Sequence, residues 1–160
     1  LVTDSLPAIA IGMERSTKDI LKEKPRDPSV GILTPATMKQ LGIQGILIAV
    51  VTMSAYFLGL KESWTIATTM AFSTLCLSRL FHGFNCRSQR SLYRIGLFTN
   101  KYSILAFVIG FCFLNAILLW QPLHSLFSVT TITMTQLFTI YGLALIPTAL
   151  IQLGRMLRHR

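Results

Sequence analysis

The chain has 160 residues, of which 52 % are hydrophobic and only 13 % charged, whereas ordinary soluble domains are roughly a quarter charged. That balance argues against a soluble enzyme, a disordered tail or a nucleic-acid module, and the length allows a single domain. The formal charge of +9, from 15 Lys and Arg against 6 Asp and Glu, belongs in so apolar a chain to loops at a cytoplasmic membrane surface.

Residue 1 is Leu rather than Met and opens inside an apolar segment, so the sequence reads as a piece of a longer chain. The first segment, LVTDSLPAIAIGM at 1–13, is apolar apart from Thr3, Asp4 and Ser5, and Pro7 interrupts it. It is too short to cross a bilayer, which needs about 20 helical residues, and reads as the back half of a spanning helix. Residues 14–39 are expected to form an aqueous loop stiffened by Pro25 and Pro28. Four full spans are then expected between residues 40 and 154, at Gln40–Leu60, Thr65–Phe84, Tyr102–Trp120 and Thr133–Leu153. A basic tail follows at 155–160. The fold class is therefore an all-α membrane protein, half a spanning helix followed by a four-helix bundle.

Charge sets the expected topology. The 14–39 loop holds six basic residues, the 86–101 loop four, the tail three and the 121–132 loop none. Thirteen of the fifteen thus lie on alternate loops, which the positive-inside rule assigns to the cytoplasm together with both ends of the chain. Cys76, Cys86 and Cys112 lack metal spacing and read as small packing residues, and His82 and His124 are isolated. The first residues do not show the basic stretch, apolar run and cleavage site of a secretory signal, so these residues are not expected to act as one.

Two charges break the pattern from within. Asp4 sits in an apolar segment, where a carboxylate must be paired, protonated or bound to a cation. Thr3 and Ser5 bring hydroxyl oxygens, and Pro7 has no amide hydrogen to give to the carbonyl of Thr3. Such an oxygen set suits a hard cation such as calcium, while an Asp capping a short helix is the competing reading. Arg79 lies inside the second full span and either faces the bundle interior or snorkels to lipid phosphates.

The string LVTDSLPAIAIGME, the later KPRDP at 24–28 and FHGFNCRS at 81–88 together resemble P-type cation-transporting ATPases of the calcium-pump branch. The resemblance covers the whole chain and implies the second half of transmembrane helix six followed by helices seven to ten. It also implies that Thr3 and Asp4 are calcium ligands, and that KPRDP lies against a cytoplasmic phosphorylation domain. In two-site pumps of this kind helix eight supplies a glutamate near Arg79, with Ser78 the alternative match; this chain has no acid at either position. A guanidinium does not deprotonate, so Arg79 is expected to stand in for a second calcium, giving one calcium per cycle. The family's DKTGT phosphorylation motif is absent from these residues, so ATP and magnesium are expected to act elsewhere in the parent pump. The implied partners are the remaining helices and cytoplasmic domains of that pump and the lipid of a cell membrane. A pump for another cation such as sodium, or a small non-enzymatic membrane subunit, are the alternatives.

Overall fold

A computed structural model describes residues 2–13, 34–87 and 99–158. Within them the chain forms six helices, α1 (Val2–Gly12), α2 (Pro35–Leu60), α3 (Trp64–Cys86), α4 (Lys101–Leu119), α5 (Gln121–Phe127) and α6 (Met134–Arg158). KPRDP, most of the basic loop after α3 and residues 159–160 lie outside the described residues.

Local chemistry explains where the helices begin. Thr34 is extended and its hydroxyl accepts from the Thr37 amide at 3.3 Å, while Pro35 occupies the first turn, where no amide hydrogen is needed. Ser63 caps α3 by accepting from the Ile66 amide at 3.1 Å. At α6, the Thr133 hydroxyl accepts from the Gln136 amide at 3.3 Å and the Gln136 side chain accepts from the Thr133 amide at 2.8 Å, a reciprocal capping box. α5 is closed by Ser128, whose φ of 52° places a non-glycine residue in the left-handed region.

Four sequence expectations change. α2 starts at Pro35 and takes in residues expected in the loop, because the Thr-Pro cap lies upstream of the apolar run. α6 continues past the expected tail boundary through Arg155, and part of the expected 121–132 loop is the short helix α5. Pro7 lies inside a helix that runs on to Gly12, so the interruption there is a missing hydrogen bond and not a break.

α3 is the hub, packing against α1, α2, α4 and α6. The core gathers Ala55 of α2, Leu77 and Leu80 of α3, Leu114 and Leu118 of α4, and Ile140 and Ala144 of α6. Phe107 stacks between Phe81 and Phe111, at 5.4 and 5.7 Å, and Phe111 meets Tyr141 at 5.8 Å, linking α3, α4 and α6. Among the described residues, α2, α4 and α6 are long and apolar enough to cross a membrane. Their outer faces carry exposed Ile46, Phe57, Leu105 and Phe138, side chains suited to lipid. α3 has the length, 23 residues, but six Ser and Thr plus Arg79, His82 and Asn85 lower its apolarity. Of the four expected spans, α3 has the length but is less apolar than the other three. Its neighbours cover much of it, so Thr69, Ser73, Thr74, Ser78 and Asn85 are buried against protein.

Candidate functional site

α1 lies across α3 and α4. Thr3 and Pro7 are one turn apart on α1, and Cys76, Arg79 and Gly83 follow one another by single turns on α3. Helical spacing therefore presents two short stripes to each other. Arg79 Nη2 and Asp4 Oδ2 meet at 2.7 Å, a charge-assisted contact between the two charges the sequence singled out. A Cβ added to Gly83 would lie 3.4 Å from the Pro7 Cβ, so the proline ring packs next to α3 at this point.

The pair opens outward: the Arg79 and Asp4 side chains are 50 % and 42 % exposed on this chain. Arg79 thus points toward the carboxylate on α1. Ser78, the competing register, is fully buried, and its hydroxyl has no partner among the described residues. One residue along a helix is a rotation of about 100°, enough to turn Ser78 away from α1.

The donors around Asp4 are oxygens. They comprise the carboxylate itself, the Thr3 hydroxyl and the Thr3 carbonyl that Pro7 leaves without its usual helical donor. No group of three His, Cys, Asp or Glu side chains occurs among the described residues, so a cation here must draw further oxygen ligands from outside them.

Three features escaped the sequence reading. Asn100, buried at the start of α4, donates through Nδ2 to the Ala10 carbonyl at 2.9 Å. At the same end of the bundle the buried Asn85 side chain accepts from Gln152 Nε2 at 2.5 Å, and its backbone carbonyl accepts from Arg155 Nη1 at 2.9 Å. His82, read as isolated, sits 3.4 Å from Asn85 Nδ2. Asn100 was legible as a helix cap, but the contacts between elements were not.

The profile of the family described as "Cation transporting ATPase, C-terminus" matches residues 1–157. A calcium-transporting ATPase of Bacillus subtilis is 34 % identical over 154 residues, covering 94 % of this chain and 17 % of the relative. One from Listeria monocytogenes is 40 % identical over 112 residues, covering 69 % of this chain and 13 % of the relative. The calcium-transporting ATPase type 2C member 2 of Rattus norvegicus is 30 % identical over 151 residues, covering 90 % of this chain and 16 % of the relative. The chain thus spans less than a fifth of the length of these relatives.

Proposed function

The chain belongs to the cation transporting ATPase C-terminus family, and from that premise we propose that it forms part of the membrane domain of an ATP-driven calcium-export pump. Asp4 is the principal calcium ligand on α1, with Thr3 beside it. The Asp4–Arg79 contact at 2.7 Å carries the reading. A carboxylate at membrane depth is stable only when neutralised, and Arg79 supplies that neutralisation when no ion is bound. Arriving calcium competes with the guanidinium for the carboxylate. Arg79 then remains as a fixed positive charge that neither leaves nor deprotonates, where a second ion would otherwise sit. The site therefore holds one calcium per cycle. The calcium-transporting relatives support the choice of ion.

ATP and magnesium act in parts of the pump outside these residues, and what this chain contributes is the binding and positioning of the ion. The pump lies in a cell membrane with the basic loops on the cytoplasmic side, as thirteen of fifteen basic residues on alternate loops support.

The test uses the intact pump. Calcium-dependent phosphorylation from ATP should be lost in Asp4→Asn, and transport should move one calcium per ATP. Calcium activation that survives Asp4→Asn overturns the site. A ratio of two, or an Arg79→Ala pump with unaltered transport and pH dependence, overturns the role of Arg79.

A further inference from the structure

The geometry points to Asn100 as the positioning residue for α1, an inference that rests on the reading of Asp4 as a calcium ligand. Asn100 is buried at the N-terminus of α4, ninety residues from its partner on α1. Its Oδ1 accepts from the backbone amides of Tyr102 and Ser103 at 3.0 and 3.1 Å, and its Nδ2 donates to the Ala10 carbonyl at 2.9 Å. Only the oxygen can accept and only the nitrogen can donate, so the three partners fix the orientation of the amide. Ala10 lies in the last turn of α1, where carbonyls run out of in-helix donors. One side chain thus caps the start of α4 and ties down the end of α1.

α1 is consequently held on both sides of Pro7. Before the proline, Asp4 is held by Arg79 of α3; after it, Ala10 is held by Asn100 of α4. The two holds differ in kind. Calcium competes for the first, which is ionic and partly exposed, but has no means of displacing the second, which is neutral and buried. Between them Pro7 removes one hydrogen bond, the local feature at which helices bend. Pro7 also borders a small pocket with Gly83, Phe84 and Ser103. Asn100 therefore sets the fixed base from which Asp4 is presented to the ion, while the segment before Pro7 adjusts.

Two variants of the intact pump separate positioning from folding. Asn100→Ser keeps an oxygen suited to capping α4 but is too short to reach Ala10. Asn100→Asp also keeps the cap and sets a carboxylate against the carbonyl. Both should raise the calcium concentration for half-maximal phosphorylation from ATP by roughly two- to tenfold, the worth of one hydrogen bond. Asn100→Asp should show the larger shift. Calcium-free phosphorylation by inorganic phosphate should keep its wild-type level in both. Unchanged calcium dependence in both variants overturns the inference, and so does an equal loss of both phosphorylation reactions, which would make Asn100 merely structural. Asp4→Asn in the same assays tells the two failures apart. If it abolishes calcium activation while the Asn100 variants are silent, only the positioning role falls; if calcium activation survives it, the underlying site falls as well.

Discussion

At the scale of single residues, identical side chains take their meaning from what faces them. Gly42, Gly45 and Gly59 all lie on α2, yet a Cβ at the first two meets nothing within 4 Å. At Gly59 it would come within 2.6 Å of the Ala67 Cα and 2.8 Å of its nitrogen. Those atoms are backbone, held by the Ser63 cap and the tight α2–α3 turn, and cannot swing aside. Gly59→Ala should therefore destabilise the protein by about 1–3 kcal/mol, the range for overpacking. Gly45→Ala should be neutral or slightly stabilising, since alanine is the better helix former. Thermal unfolding in detergent compares the two, and equal midpoints would refute the close-packing account. The sequence could not separate these glycines, because nothing local distinguishes them. Asp4 and Arg79 were legible as charges out of place, since isolation in an apolar run is a local property. That they form one pair was not, because it depends on how α1 lies across α3.

Helix ends were encoded more fully than apolar runs suggest. Thr34-Pro35, Ser63, Asn100 and the Thr133–Gln136 box each mark a helix start by side-chain chemistry. Apolarity alone placed α2 five residues late and stopped α6 before Arg155, because the first turn of one and the last turn of the other are polar. That polar last turn has a purpose between elements: Gln152 and Arg155 reach Asn85 on α3 and fasten the two helices where the apolar core thins out. The Asn85 side chain is buried and bonds Gln152, so Asn85→Leu should leave that amide short of an acceptor and cost about 1–3 kcal/mol. Replacing Gln152 by Leu as well should recover part of the loss, since removing both polar partners is cheaper than removing one. A double-mutant cycle on unfolding midpoints measures this, and strictly additive losses would mean that the pair does not couple α3 to α6.

For the whole molecule, the division between apolar outer helices and a polar central one is an order of assembly. α2, α4 and α6 expose apolar side chains and are long and apolar enough to cross a bilayer. α3 carries six hydroxyl residues and Arg79, His82 and Asn85. Some of its hydroxyls turn back onto its own backbone: Thr69 bonds the Thr65 carbonyl at 2.8 Å and Ser73 the Thr69 carbonyl at 2.7 Å. Arg79 is met by Asp4 of α1, and the Asn85 side-chain oxygen by Gln152 of α6. A single arginine near the centre of an isolated helix costs about 3 kcal/mol on insertion. Placed one at a time in a host protein and followed by glycosylation of flanking sites in microsomes, the α2, α4 and α6 segments should insert efficiently. The α3 segment should remain largely uninserted, and Arg79→Leu should rescue it. Insertion of the unaltered α3 segment as efficiently as α4 would show that its polarity is no barrier. The expected failure would mean that the charge placed opposite Asp4 is tolerated only because the bundle forms around it, which ties the proposed ion site to the assembly of the hub.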